Sequence, residues 1–292
     1  MPETALALAH KAAQLFVERD FENARLEAEL LLAGVLGIKR LELYTQFDRP
    51  VEAEELERFR GWVRRRLRHE PLQYILGDVQ FRSLRLRVDR RALIPRPETE
   101  VLVGVVLEHL QRAARDAAAG ANILDLGTGT GAIALALLVE GGVAAAVATD
   151  LSLDALALAR ENAEALGVAD RLALRHGDLW ACIAADERFD VIVSNPPYVD
   201  EADAPALAPE VREWEPASAL FAPGGGTAVL ERIVDGAAAH IAAGGVLALE
   251  LGIEQAERVA ARIAALDAFD TPLITNDLTG RPRIVSAVAR RT

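Results

Sequence analysis

The chain has 292 residues, of which 51% are hydrophobic, so it is long enough for one large domain or two smaller ones around a real core. Its formal net charge of −12 argues against general binding to nucleic acids. Cys182 is the single cysteine, which excludes a disulfide framework and a thiolate metal site. No apolar run reaches transmembrane length and no basic-then-apolar leader opens the sequence, so we expect a cytoplasmic protein.

The first part of the chain is predicted to be helical. Asn23 and Gly37 are typical of the two ends of a helix. Apolar residues at helical spacing over Leu56–Leu67 predict a longer helix, which ends before Pro71. We therefore predict a helical domain over residues 1–75, whose role is either packing or holding a protein partner.

Arginines are concentrated around the end of this domain. Between Arg58 and Arg91 the chain has eleven arginines, against Glu70, Asp78 and Asp89. The favoured interpretation is a solvated face of a helix and a hairpin. The alternative is a docking patch for an acidic or RNA-associated partner.

Residues 76–92 are predicted to link two domains. Leu84, Leu86 and Val88 alternate with arginines, which is the period of a half-buried strand. Together with Val79–Phe81 they predict a β-hairpin.

The remainder, residues 93–292, is predicted to be a catalytic domain of the α/β class. Thr99 is predicted to cap its first helix, which the alanine-rich residues 113–120 would finish. From Asn122 onward strands and helices alternate, which predicts a parallel sheet with helices on both faces and right-handed crossovers. The predicted strands are Ile123–Leu126, Ala144–Thr149, Leu172–Arg175, Val191–Ser194 and Val246–Glu250, with a closing hairpin of Phe269–Ile274 and Arg283–Ala289.

A glycine-rich turn follows the first predicted strand. It reads Gly127-Thr128-Gly129-Thr130-Gly131. Glycines at alternate positions allow a sharp turn and a close approach of the backbone to a ligand. Asp150 ends the next strand, where a carboxylate can accept hydrogen bonds from both hydroxyls of a ribose. These features predict a nucleoside site, and the lack of a conventional phosphate-binding lysine excludes Walker chemistry.

The G-x-G-x-G spacing resembles the first motif of class I S-adenosylmethionine-dependent methyltransferases. The resemblance implies a Rossmann-like sheet, S-adenosylmethionine as cofactor, and a glycine turn that faces its methionine part. It also implies that Asp150 binds the ribose and Asp178 the adenine, with Leu179 packed on the ring. Capping a following turn is an equally good interpretation of Asp178. Asp125 resembles the acid that indirectly holds the methionine amine, although ending a strand would also explain it.

A second motif follows the β-branched run Val191–Val193, which predicts a strand buried on both faces. The motif reads Asn195-Pro196-Pro197-Tyr198. Because neither proline has an N–H, the strand must end there in a stiff loop, at the edge where open α/β sheets place ligands. Its amide, carbonyls and aromatic face predict a site that holds a planar NH2 group by accepting its hydrogens. An Asx turn before proline is the alternative for Asn195.

This loop resembles that of methyltransferases that modify nitrogen on planar groups, either adenine N6 or the glutamine amide. Asn195 Oδ1 would accept one hydrogen and the carbonyl of Pro196 the other, which favours a pyramidal nitrogen whose lone pair points at the methyl group. Pro197 and Tyr198 would complete the substrate site, with the Tyr198 ring excluding water. Asn195 would also border the cofactor. The sulfonium is the electrophile, so neither a metal nor a strong base is required.

Four segments occur in a characteristic order: Glu70–Gly77, Leu93–Glu100, Asn195–Tyr198 and Glu215–Leu220. With the helical first part, they resemble the HemK/PrmC family of release factor glutamine methyltransferases over essentially the whole chain. The resemblance implies methylation of the glutamine in the Gly-Gly-Gln loop of class 1 peptide chain release factors, which the helical domain helps to engage. Phe221–Gly226 is more glycine-rich than the family pattern, and Glu250-Leu251-Gly252 replaces the commoner Glu-His-Gly.

Three other functions fit parts of this pattern. A ribosomal-protein glutamine methyltransferase would share the loop Asn195–Tyr198, here called the transfer loop, but pair it with a different N-terminal domain. A DNA adenine methyltransferase would carry a target-recognition segment and a basic cleft, whereas this chain is acidic and ends soon after the sheet closes. A cofactor-binding regulator without turnover would not need Asn195 and Tyr198. We expect neither a membrane nor a direct nucleic-acid partner.

Overall fold

The computed structural model describes residues 4–113 and 120–291. The helices are α1 (Ala5–Val17), α2 (Ala24–Leu36), α3 (Glu42–Thr45), α4 (Ala53–Arg66), α5 (Leu72–Leu76), α6 (Pro97–Ala113), α7 (Ala132–Glu140), α8 (Leu153–Ala165), α9 (Pro209–Trp214), α10 (Ala217–Leu220), α11 (Ala228–His240) and α12 (Ala256–Ala264). The strands are β1 (Asp78–Phe81), β2 (Leu84–Arg87), β3 (Asn122–Leu126), β4 (Ala145–Asp150), β5 (Leu172–His176), β6 (Phe189–Ser194), β7 (Ile241–Glu250), β8 (Leu273–Asn276) and β9 (Pro282–Val288). Most of the alanine-rich stretch predicted to finish α6 lies outside the described residues.

The chain forms two compact units. The helical unit contains Met1–Asp78 and Ala208–Trp214, and the α/β unit contains Val79–Leu207 and Glu215–Thr292. The chain therefore passes from one unit to the other at three points. The hairpin expected within residues 76–92 forms as β1 and β2, and from Val79 onward it clusters with the α/β unit.

The helical unit is built on α1, α2 and α4, whose apolar faces enclose a common core. Large buried side chains of this core include Phe16, Leu31, Leu32, Leu43 and Phe59. As predicted, α2 starts after Asn23 and ends at Gly37, which adopts the left-handed φ of +65° that glycine tolerates best. Sequence periodicity missed α3, α5 and α9, because helices of four to six residues do not complete two turns.

The α/β unit contains a seven-stranded sheet in the order β5-β4-β3-β6-β7-β9-β8. Strands β3 to β7 pair in parallel, and β9 joins β7 in antiparallel fashion. Successive β3 residues face opposite sides: Ile123 packs in the core that includes α6 and α7, and Leu124 in the core that includes α11 and α12. Both faces of the central strands are therefore buried, which explains their continuous apolar runs and confirms the predicted α/β class.

The sheet has a topological switch point beside β3, because β4 lies on one side of it and β6 on the other. Ligands of open α/β sheets bind at this point, beyond the carboxyl ends of the strands. The predicted start of the closing hairpin was wrong, since Phe269 makes only an isolated bridge to Ala289 and β8 begins at Leu273. Within the described residues, every helix is too short or too polar to cross a bilayer.

Candidate active site

A cavity of about 640 Å³ lies at the carboxyl ends of β3, β4 and β6. Its volume is in the range of sites for small molecules and cofactors. Predicted site residues that line it are Gly127, Thr128, Gly129, Thr130, Asp150, Asp178, Leu179, Asn195 and Pro197. Gly131, Pro196 and Tyr198 are not among the lining residues. The structure thus brings the glycine turn, the carboxylates of Asp150 and Asp178, and the amide of Asn195 to one cavity.

The glycine turn requires its glycines for two different reasons. Gly127, Gly129 and Gly131 have φ angles of +72°, +57° and +84°, a region that other residues rarely adopt. A Cβ on Gly131 would also lie 3.0 Å from Leu135 Cδ1, so this glycine lets α7 pack close to the turn. The turn is fastened to β4, because the N–H groups of Gly127 and Thr128 both donate to the Thr149 carbonyl at 2.9 Å.

Asp125 is a fully buried carboxylate beneath this turn. Its Oδ2 accepts hydrogen bonds from Thr128 Oγ1 at 2.7 Å and from the Ala134 N–H at 3.3 Å. Its Oδ1 is buried and has no hydrogen-bond partner among the described residues. Burial raises the pKa of Asp125 to about 7, with a smaller contribution from the charge of Asp150. A perturbed carboxylate beside a cavity is typical of a functional site.

Asp150 binds the glycine turn and still has free positions for accepting further hydrogen bonds. Its Oδ2 accepts from the Gly129 N–H at 2.9 Å, and its Oδ1 accepts from the Ser152 N–H at 2.8 Å. An ionised carboxylate offers about four acceptor positions, so two remain for hydroxyl groups of a ligand in the cavity.

Asp178 and Leu179 form the wall beyond Asp150. Asp178 stands before a short 3₁₀ helix but makes no side-chain capping bond, and its Oδ2 instead accepts from Arg232 Nη2 at 2.8 Å. Both partners are about half exposed and line the cavity. Leu179 has a φ of +51°, a conformation that is costly for a bulky side chain and that sets its position at the cavity wall.

The transfer loop leaves β6 at Ser194, whose hydroxyl donates to the Leu126 carbonyl at 2.6 Å and so ties β6 to the end of β3. The Asn195 side chain donates through Nδ2 to Thr99 Oγ1 at 3.0 Å. No donor among the described residues bonds Asn195 Oδ1 or the Pro196 carbonyl. The two oxygens predicted to accept hydrogens from a substrate are therefore not used within the described structure.

Tyr198 turns away from the cavity toward a buried carboxylate at the end of β7. Its hydroxyl donates to Glu250 Oε1 at 3.4 Å, and the guanidinium of Arg283 lies 5.7 Å from its ring centroid. Burial, followed by the charge of Glu250, raises the pKa of Tyr198. Burial also raises the pKa of Glu250 to about 7. The Tyr198 side chain is thus directed to the side of the loop that faces away from the cavity.

Comparison with known proteins identifies the family. Residues 7–77 match the PrmC N-terminal domain, and residues 103–225 match the methyltransferase small domain. The release factor glutamine methyltransferase of Chlorobaculum tepidum is 41% identical over 266 residues, which cover 89% of this chain and 90% of the relative. That of Geobacter sulfurreducens is 46% identical over 242 residues, covering 83% of this chain and 82% of the relative.

The chain belongs to the family of release factor glutamine methyltransferases. This finding confirms the resemblance to the HemK/PrmC family and the prediction of an S-adenosylmethionine-dependent methyltransferase. A solved structure of the hMettl16 catalytic domain with MAT2A 3'UTR hairpin 6 has a similar fold. It is 14% identical, with a TM-score of 0.57, and the match covers 82% of this chain and 83% of that one.

Two buried polar residues that are connected to Asn195 by hydrogen bonds were not predicted from the sequence as site residues. Thr99 was predicted to cap a helix, but α6 already begins at Pro97, and the Thr99 hydroxyl donates to Glu250 Oε2 at 2.7 Å. Thr99 and Glu250 are both buried. The signal for Glu250 was its place at the end of a parallel strand, which it shares with Asp150.

The glycine-rich departure after Phe221 also belongs to this site. Gly226 has a φ of +75°, and a Cβ there would lie only 2.0 Å from the Tyr198 carbonyl oxygen. Gln255 Nε2 donates to the same oxygen at 2.9 Å. The Tyr198 carbonyl of the transfer loop is therefore packed against Gly226, where only glycine fits, and is bound by the Gln255 amide.

Proposed function

We propose that this methyltransferase transfers a methyl group to the side-chain amide nitrogen, N5, of the glutamine in the Gly-Gly-Gln motif of class 1 peptide chain release factors. The single observation that carries the proposal is the pair of unused acceptors, Asn195 Oδ1 and the Pro196 carbonyl, at the carboxyl end of β6. The names of relatives that are 36–46% identical over most of the chain support the substrate.

The lining residues fit S-adenosylmethionine. When bound, this cofactor supplies an electrophilic methyl group on a sulfonium. The turn Gly127–Gly131 would border its methionine part, and the buried Oδ1 of Asp125 is a polar atom suited to a chain of hydrogen bonds toward its amine. Asp150 would accept from the ribose hydroxyls, while Asp178 and Leu179 would bind the adenine.

Asn195 and Pro196 would activate the substrate nitrogen by holding its two hydrogens. An amide nitrogen is a poor nucleophile because its lone pair is delocalised into the carbonyl group. Two acceptors on one side favour the pyramidal nitrogen, and their negative ends stabilise the positive charge that builds there as the N–C bond forms and the C–S bond breaks. The electron pair of the broken C–S bond would remain with the cofactor, and the methylated nitrogen would then lose a proton. Pro197 would stiffen this loop, and the Tyr198 ring would shield it on the side that faces away from the cavity.

The helical unit is proposed to engage the release factor, in the cytoplasm where translation ends. Much of its arginine-rich segment is already occupied: Arg58 donates to the Val35 carbonyl, Arg65 pairs with Glu70, and Arg66 pairs with Glu27. Arg64 and Arg68 are exposed. These two side chains are therefore the part of the segment best suited to an acidic surface of the partner.

The proposal is tested by incubating a class 1 release factor with the enzyme and S-adenosylmethionine and mapping the modified residue by mass spectrometry. We expect one added methyl group on the Gly-Gly-Gln glutamine. Asn195→Ala removes one of the two acceptors, so turnover should fall about 10²-fold or more while affinity for the cofactor stays close to normal. A methyl group on a ribosomal protein or on DNA, with none on the release factor, would refute the proposed substrate.

A further inference from the structure

A buried chain of hydrogen bonds runs behind the transfer loop. It connects Asn195 Nδ2 to Thr99 Oγ1 at 3.0 Å, and Thr99 Oγ1 to Glu250 Oε2 at 2.7 Å. The Tyr198 hydroxyl donates to the other oxygen of Glu250 at 3.4 Å. Thr99 and Glu250 are 151 residues apart in sequence and come together at the ends of α6 and β7.

The direction of each bond in this chain follows from the number of protons available. An ionised Glu250 carboxylate has no proton, so it can only accept. The Thr99 hydroxyl has one proton, and it donates that proton to Glu250. The same hydroxyl can then only accept from Asn195, which must turn its NH2 group toward Thr99.

The hydrogen bond to Thr99 also fixes the direction of the oxygen of the Asn195 amide. With its NH2 group fixed against Thr99, the amide must turn its Oδ1 away from Thr99, and Oδ1 is the atom that the proposed function requires as an acceptor. A flipped amide would point two N–H donors at the substrate NH2 group and repel it. The two orientations of an asparagine amide have nearly the same shape, so packing alone does not select one of them.

We propose that Thr99 and Glu250 are positioning residues that lock the Asn195 amide in the orientation that accepts a hydrogen from the substrate. The lock rests on the proposed function for its purpose, but its geometry is independent of any ligand. We call this arrangement a relay, because each group fixes the hydrogen-bonding role of the next. The carboxylate of Glu250 makes the Thr99 hydroxyl a donor toward Glu250, and that hydroxyl in turn makes the Asn195 NH2 group the donor toward Thr99. The raised pKa of Glu250, about 7, leaves it mostly ionised in mildly alkaline solution.

Kinetics on a glutamine substrate test the relay. Thr99→Val keeps the shape of the side chain but removes the hydroxyl, and we expect kcat to fall about 10-fold or more, with little change in KM or in cofactor affinity. Thr99→Ser restores the hydroxyl and should recover most of kcat. Glu250→Gln should also lower kcat, because its NH2 group can donate to Thr99 and reverse the relay. A buried charge is removed in this variant, so its resistance to urea should not decrease.

A second measurement reads the relay without cofactor or substrate. The chain has five asparagines, and selective ¹⁵N labelling of their side-chain amides gives one pair of proton signals for each. Asn195→Asp identifies the pair of Asn195 by its loss. We expect this pair to shift in Thr99→Val and in Glu250→Gln, and to stay near its original position in Thr99→Ser.

The outcomes separate the relay from the proposed function. If Thr99→Val keeps the kcat of the unchanged enzyme and the Asn195 signals do not move, the relay is refuted and the proposed function stands. If Thr99→Ser loses as much kcat as Thr99→Val, the hydroxyl has no orienting role and the relay is again refuted. If the unchanged enzyme methylates no glutamine, the proposed function fails, and the amide signals still decide whether Thr99 and Glu250 lock Asn195.

Discussion

The two units of this methyltransferase differ in how some of their buried charges are paired. In the helical unit, Arg66 has only 3% of its side chain exposed and lies between Glu27 and Glu210. Glu29 is equally buried, and although burial alone would raise its pKa, hydrogen bonds from Tyr44 and two arginines hold the pKa below its ordinary value. Each of these buried charges is therefore neutralised within its own unit.

The α/β unit pairs its buried Glu215 with Arg96, but it buries Asp125 and Glu250 without a guanidinium hydrogen-bonded to either among the described residues. Their hydrogen bonds come from hydroxyl groups and one main-chain N–H, which offset less of the cost of burial than a cation does. Burial consequently raises both pKa values to about 7. Both carboxylates stand at or near the carboxyl ends of parallel strands. The comparison thus separates buried charges that have a cationic partner from two carboxylates that have none, and carboxylates of the second kind are typical of functional sites.

The largest effect is expected from breaking the pairing in the helical unit. Arg66→Met leaves Glu27 and Glu210 without their common cation, so the free energy of unfolding in urea should fall by about 3 kcal/mol. Arg64→Met, on the same helix but exposed, is the matched control and should change it by less than about 0.5 kcal/mol. Equal effects of the two variants would show that burial of the Arg66 charge is irrelevant to folding.

The next effect should come from neutralising a carboxylate of the α/β unit. Asp125 has a raised pKa in the folded state, so between about pH 4 and 7 the folded protein retains a proton that the unfolded chain has released. Stability from this group is therefore lost as pH rises through that window, at about 1.4 kcal/mol for each pH unit. Asp125→Asn removes this dependence, and its stability relative to the unchanged protein should increase from pH 5 to pH 7 in urea titrations. A constant difference would contradict the raised pKa.

A carboxylate that faces the cavity should act on the ligand more than on folding. Asp150→Ala is expected to weaken binding of S-adenosylmethionine by roughly 1.5–3 kcal/mol, because two ribose hydroxyls lose a charged acceptor. Isothermal calorimetry measures this change directly. Asp154→Ala, an exposed aspartate in the first turn of α8, serves as control and should bind normally. Unchanged affinity of the Asp150 variant would exclude the ribose role.

The smallest effect is expected from the exposed arginines of the helical unit. Reversing both Arg64 and Arg68 to glutamate should raise KM for an intact release factor by about fivefold and leave turnover of a short glutamine peptide unchanged. Arg112→Glu, an exposed reversal in the α/β unit, is the control. Equal losses on both substrates would reject docking through these residues.

The fold was largely predictable from the sequence, because its central strands are apolar and are followed by residues that break strands. Runs such as Val191–Val193 are buried on both faces and stop at residues that cannot continue a ladder. The start of β8 was misplaced because Phe269 is apolar and fully buried like a strand residue, yet it forms only a single bridge. The predicted start of β8 was therefore wrong because a residue can be buried in the core without pairing in the sheet.

Site residues could be predicted from the sequence only where a single residue, by its type and its place after a strand, indicates its own role. Gly127, Asp150 and Asn195 each follow or end a strand and are of a type that such a position rarely needs for packing. Thr99 and Glu250 function as a pair, and no local pattern connects residues 151 positions apart. A threonine in the first turn of a helix is ordinary, so only the folded structure reveals its acceptor.

The three points at which the chain changes units also decide how this protein can be dissected. A fragment that stops at Asp78 contains α4 but lacks Glu210, which pairs with Arg66, and Trp214, whose indole donates to the Arg68 carbonyl at 3.2 Å. Such a fragment would leave the Arg66 guanidinium paired with Glu27 alone, whereas the whole chain also pairs it with Glu210. A stable isolated helical unit must therefore include the segment Ala208–Trp214 as well as Met1–Asp78. Proteolysis within Ala208–Trp214 would likewise destabilise the helical unit, although most of that unit lies much earlier in the sequence.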